Sequence, residues 1–86
     1  MKCNSMASLS LPEFKERIRE RRELPPPALR RELRRAAGVS VADVAAAIGV
    51  SRATVGFWER GEKSPTGANL SKYVEVLRVL RDEAAA

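Results

Sequence analysis

The sequence contains no histidine and a single cysteine, Cys3. Without imidazole the chain lacks the side chain that ordinarily titrates near neutral pH and serves as general base. One thiol excludes an intramolecular disulfide, and a Cys/His zinc site has nothing to be built from. Aromatic residues are scarce at 5% of the chain, namely Phe14, Phe57, Trp58 and Tyr73. No apolar run approaches the roughly 20 residues of a membrane span, and the first residues carry no apolar stretch of the signal-peptide kind. No constellation of catalytic residues is present. The expectation is therefore a cytoplasmic protein that is not an enzyme and holds neither metal nor cofactor. Acidic residues are also in the minority, 11 against 16 Lys and Arg, which leaves a formal charge of +5. That balance favours a polyanionic partner.

What is present suits one small helical domain. At 86 residues a chain buries only about 60% of its unfolded surface, and a hydrophobic content of 44% is enough for one core. Residues 1–11 show no apolar period and are expected to form a disordered tail. Residues 12–24 are expected to form a basic N-terminal helix, with Pro12 at its first position and Ser10 or Leu11 before it. Phe14 and Ile18 share one face, which Leu24 extends. Pairs Glu13–Arg17 and Glu16–Arg19 stand at i,i+4 and i,i+3, spacings that support a helix by a few tenths of a kcal/mol. Pro25, Pro26 and Pro27 form a linker over 25–27, because each removes a donor and restricts the residue before it. The domain proper is expected over 28–86. Its first helix places Leu29, Leu33, Ala36 and Ala37 on one face, with Arg30, Arg31 and Arg35 opposite and Gly38 as C-cap.

The most informative stretch runs from Gly38 to Gly61. Val44, Ala45 and Ile48 recur at helical spacing, and Ala45 is small enough for another helix to cross over it. Gly49 supplies a chain reversal that a Cβ resists, and Val50 covers the turn. Val55 and Trp58 form the inner stripe of a second helix. Ser40 and Ser51 stand at N-cap positions, and Asp43 follows Ser40 at capping-box spacing. Two helices joined this way leave the outer face of the second free to enter the major groove of DNA. A polar loop follows over 62–67, and a last helix is expected from about 69 to 83. Leu70, Val74 and Leu77 form its core stripe with Tyr73 beside it. Val76, Val79 and Leu80 widen that stripe beyond the needs of one domain.

Read together, Ala45, Gly49, Val50, Val55, Trp58, Glu59 and Gly61, followed by Pro65 and Leu70, resemble the Cro/C1-type (XRE family, lambda-repressor-like) helix-turn-helix domains. The resemblance extends from about Pro27 to Leu80. It implies an all-α, lambda-repressor-like five-helix bundle, here with an extra N-terminal helix, that binds double-stranded operator DNA as a homodimer in phage or bacterial regulators. It places base reading on Arg52 and Ala53 at the start of the second motif helix, 51–59, with Phe57 one turn later and Thr54 and the capping Ser51 beside the backbone. The Arg52 fork matches O6 and N7 of guanine, and a phosphate contact is its alternative. Phe57 has two readings, one in the groove against a thymine methyl and one packed on the N-terminal helix. Arg60, Lys63 and Ser64 are expected at phosphates, joined by cations of the N-terminal helix. Val41 occupies the position where many relatives carry a phosphate-binding Gln, so the backbone N–H groups there are what remains for DNA. By the same resemblance Arg34 and Glu59 form a structural ion pair. The surplus stripe on the last helix motivates a dimer interface of Tyr73, Val76, Val79 and Leu80.

Charge adds a complication. Residues 12–35 hold nine Lys or Arg against five Glu, whereas in residues 36–67 Arg52, Arg60 and Lys63 are balanced by Asp43, Glu59 and Glu62. A neutral motif with an apolar-faced basic helix before it also fits an antitoxin-like or adaptor protein that uses its bundle mainly to bind another protein.

Overall fold

The computed structural model describes residues 9–85 and folds them into five helices: α1 (Leu11–Glu23), α2 (Pro27–Ala36), α3 (Val41–Ile48), α4 (Arg52–Arg60) and α5 (Gly67–Ala85). No strand occurs among the described residues. The expected all-α bundle is borne out, with one adjustment. Its five helices include the N-terminal one, because residues 67–85 run as a single unbroken helix. Of the tail expected over 1–11, residues 1–8 lie outside the described residues, and Leu11 already belongs to α1. No single helix among the described residues is long and apolar enough to cross a membrane.

Local chemistry starts three of the helices. The Ser10 hydroxyl accepts from the Glu13 N–H at 3.2 Å while the Glu13 carboxylate accepts from the Ser10 N–H at 2.9 Å. The Ser10 N–H, and then its hydroxyl, donate to that carboxylate and hold the Glu13 carboxyl below the usual carboxylate range. Ser40 and Asp43 repeat the reciprocal box for α3, and Ser51 caps α4 through the Thr54 N–H at 3.1 Å. At Gly49 the backbone is left-handed, with φ of 93°, and its N–H donates to the Ala45 carbonyl at 2.8 Å. The turn brings α4 across α3 at 109°, within the range of a helix-turn-helix.

Val44, Ala45, Ile48, Val55, Trp58, Tyr73, Leu77 and Leu80 form the core. The Trp58 and Tyr73 rings tilt together with centroids 4.8 Å apart, a favoured aromatic geometry. One of the residues expected at a dimer interface is thereby corrected: Tyr73 is 1% exposed and has no surface to offer a second chain. Leu80, at 6%, lines a groove between α3 and α5. The α5 stripe is broad because three neighbours, α1, α2 and α3, pack against this one helix. Val79, by contrast, is 52% exposed and Val76 half-buried.

The expected phase of α2 is also corrected. Leu29 and Ala36 are exposed, while Arg30 is buried. Its Nε donates to the Pro25 carbonyl and its Nη1 to the Trp58 carbonyl, both at 2.7 Å. Burial pushes the Arg30 pKa down, although a guanidinium stays charged at any working pH. In α1, Glu16 and Arg19 pair at 2.8 Å, but Glu13 is committed to Ser10 and Arg17 reaches across to α5 instead.

Tyr73 generates a prediction. Its hydroxyl is buried with no hydrogen-bond partner among the described residues, so Tyr73→Phe removes an unrewarded desolvation cost. Stability in urea should rise by about 1 kcal/mol. Burial also pushes the Tyr73 pKa up to about 12, against about 10 in an unfolded chain. The folded state therefore favours the protonated phenol. That contribution is complete below pH 10 and is lost as pH rises towards 12, by about 1.4 kcal/mol per pH unit inside the window. Alkaline unfolding curves should show this loss in the natural chain and lack it in Tyr73→Phe.

Candidate nucleic-acid interface

The candidate surface is the outer side of α4, the turn before it and the loop after it. Val55, Trp58 and Glu59 face inward, which fixes the helix phase and leaves Arg52 and Ala53 exposed on the first turn. Thr54 is half-buried, and its hydroxyl lies 2.9 Å from that of the exposed Ser51. These two hydroxyls therefore occupy each other at the α4 N-terminus. Val41, at the start of α3, is half-buried with its side chain packed against the core.

Phe57 is half-buried beneath two cations: Lys63 Nζ lies 4.5 Å and Arg60 Cζ 5.4 Å from its ring centroid. Both distances are within the range of cation–π attraction. The Phe57 ring thus supports the two cations that follow it in the chain. The Phe57 carbonyl accepts from the Glu62 N–H at 2.9 Å, which closes the chain after α4. Arg60 also pairs with Glu62 at 2.9 Å, with both side chains about half exposed. An exposed pair of this kind is weak. Ser64 is exposed beside the buried Pro65.

Behind this surface Arg34 and Glu59 form a bidentate pair at 2.5 and 3.0 Å, with side chains only 13% and 7% exposed. Arg34 also donates to the Val39 carbonyl at 3.0 Å, so α2 is tied to α4 and to the start of α3 at once. The Glu59 hydrogen bonds raise the Arg34 pKa.

The tertiary structure adds residues that sequence reasoning placed elsewhere. Arg31, Arg35 and Arg60 line a recess of about 260 Å³ between α2, α3 and α4, together with Val41 and Gly56. Arg31 and Arg35 have no carboxylate partner among the described residues. Their i,i+4 spacing was the available signal, but the mistaken helix phase grouped them with the buried Arg30. Gly56 matters to the same recess. A Cβ there would lie 3.1 Å from Arg60 Nη1, so the missing side chain is where the guanidinium rests.

Two predictions follow from this geometry. Replacing either Arg34 or Glu59 alone leaves a buried charge without its partner and should cost about 3–5 kcal/mol. The double variant Arg34→Met/Glu59→Met should lose far less than the sum, as measured by a double-mutant cycle in urea. Gly56→Ala asks only an exposed guanidinium to shift by a few tenths of an ångström, against about 1 kcal/mol gained in the helix interior. Its Tm should rise, and a fall would mean that Arg60 is held in place.

A family model described as helix-turn-helix matches residues 31–83, from within α2 almost to the end of α5. No curated protein and no solved structure matches the chain.

Proposed function

The chain belongs to the Cro/C1-type (XRE) helix-turn-helix family, whose members are DNA-binding regulators and not enzymes, and from that premise we propose that it is a sequence-specific regulator of the phage or bacterial repressor type. In this reading the domain over 28–86 reads the major groove with α4 and acts in the cytoplasm beside the nucleoid. The observation that carries it is the exposed first turn of α4. Arg52 and Ala53 project from a helix whose opposite face is locked into the core. A helix with its side chains is about 10–12 Å across, which fits the roughly 12 Å width of the groove.

Arg52 reads a guanine edge, Ala53 contacts a neighbouring base, and Ser51 and Thr54 lie along the backbone. Lys63, Ser64 and Arg60 meet phosphates, with Phe57 beneath the two cations as their support. Val41 contributes through its backbone, and the recess lined by Arg31 and Arg35 supplies cations next to it. A homodimer joins through the apolar groove of about 300 Å³ between α3 and α5, where Val76 and Val79 border Val39 and Ala47. Two domains so joined address half-sites about 34–36 Å apart. The alternative of an adaptor that mainly binds protein is favoured by one observation, the outward apolar face of α1, and is compatible with DNA reading on α4.

Binding to selected duplexes tests the assignment. Arg52→Ala should lose about 1–3 kcal/mol and relax preference at one base pair, whereas Lys63→Ala should weaken all duplexes alike. The log–log salt slope, about −0.9 per phosphate neutralised, should become shallower by about one for Lys63→Ala. Unchanged affinity and unchanged base preference in Arg52→Ala would move the reading face elsewhere.

A further inference from the structure

Helix α1 carries its amphipathicity inverted. Its contacts with α5 are polar: Arg17 donates to the Gly67 carbonyl and, at 3.2 Å, to the Ser71 hydroxyl. Glu20 accepts from Ser71 at 2.8 Å, and Glu23 takes a bidentate pair from Arg78 at 2.7 and 2.6 Å. The apolar side chains face the other way. Leu11 is 72% exposed, Phe14 52% and Ile18 41%. Their spacing of three and four residues puts them on one face, in the pattern of a helix-pairing seam. Phe14 and Ile18 line a shallow groove of about 430 Å³ rimmed by Arg17, Arg21 and Arg22. An apolar stripe on a solvent-facing helix gains nothing for the isolated fold.

The charge on this face is of one sign. Each glutamate of α1 is engaged: Glu13 by Ser10, Glu16 by Arg19, Glu20 by Ser71 and Glu23 by Arg78. Lys15, Arg21 and Arg22 have no carboxylate partner among the described residues.

We propose that the outward face of α1 docks an acidic amphipathic helix of a partner protein, its apolar side chains filling the Phe14–Ile18 groove and its carboxylates meeting Arg21 and Arg22. A helix suits the seam because it presents apolar groups at the same three- and four-residue spacing. Carboxylates complement a rim that holds cations alone, which both steers encounter and selects the partner. A second copy of this chain is the weaker occupant, since its own α1 brings no free carboxylate. A bilayer is weaker as well, because three arginines line the groove together with Phe14 and Ile18 instead of flanking a wide apolar face. This surface lies on α1, apart from α4, and does not rest on the DNA reading.

The test uses the full chain and two labelled helical peptides with the same leucine seam, one flanked by glutamates and the other by lysines. Fluorescence anisotropy should show the glutamate peptide binding at least about tenfold more tightly than the lysine peptide. Phe14→Ser/Ile18→Ser should weaken it about tenfold or more, and Arg21→Gln/Arg22→Gln should weaken it and flatten its salt dependence. Both side chains of the first variant are exposed, so helical circular dichroism and duplex binding should stay within about twofold of the natural chain; their retention identifies a loss of peptide binding as local. Equal affinity for the two peptides, or unaltered affinity in Phe14→Ser/Ile18→Ser, overturns the proposal. So does flotation with phosphatidylglycerol vesicles that this variant abolishes, which would assign the face to a membrane. Self-association in sedimentation that the variant abolishes would assign it to a second copy, with the same consequence.

Discussion

The buried charge junction between α2 and α4 is the constraint on which the rest of the molecule depends. Arg34 and Glu59 lose most of their hydration in the fold, and a charge taken out of water is tolerable only with a close, well-oriented counterpart. Arg30 adds a second tie by donating to the Trp58 carbonyl one residue away. Side chains one turn apart on α2 thus grip consecutive residues of α4. The rotation of α4 about its own axis follows from that grip. Hydrophobic contact between Val55, Trp58 and the core is non-directional, whereas bidentate guanidinium geometry is not. The side of α4 that carries Arg52 is consequently presented outward on a helix whose inner side is fixed by charge.

The same junction explains why Tyr73 sits where it does. Its ring packs on Trp58 and its hydroxyl points into a region crowded by Arg30, Arg34 and Glu59, whose charges act on it in opposing directions. The two arginines and the glutamate satisfy one another and nearby carbonyls first, leaving the phenol without a partner among the described residues. The α2–α4 grip is thus secured partly at the expense of the α5 hydroxyl. In α1 the polar–apolar division runs the opposite way, with polar groups spent on α5 and apolar groups left outside. The molecule thus has two outward surfaces of different character: a polar and basic one around α4, and an apolar one with a basic rim on α1.

Much of the fold was legible in the sequence, for local reasons. Ser40 with Asp43, Gly49, Ser51 and Gly61 mark the ends of α3 and α4 because caps and left-handed turns are satisfied by neighbours a few residues away. The inward set Val44, Ala45, Ile48, Val55 and Trp58 follows from period alone, since these helices have one strongly apolar face each. Helix α2 defeated the same reasoning. Its leucines at 29 and 33 and its alanines at 36 and 37 suggest one face, but the buried Arg30 outweighs the exposed Leu29 once two backbone carbonyls wait for its guanidinium. Helix α1 defeated it as well, because Phe14 and Ile18 mark a face without saying whether the domain itself covers it. Around α4, motif spacing pointed to Arg52, Ala53, Phe57, Arg60 and Lys63. The cations over Phe57 and the approach of Arg31 and Arg35 to Arg60 depend on side chains meeting across elements.

Sequence alone determined where the chain turns, which residues cap each motif helix, and that the stretch from 38 to 61 forms two crossed helices with an apolar seam between them. Those properties arise from interactions within a few residues, so they are written locally. Tertiary structure decided the rotation of α2, the withdrawal of Tyr73 and Leu80 from the surface, and the outward turn of the apolar face of α1. The rotation of α2 and the outward turn of the α1 face depend on which polar groups find partners across the bundle, and the burial of Tyr73 and Leu80 on the three helices that pack on α5. The cost of burying an unpaired charge exceeds the gain from burying one more aliphatic side chain.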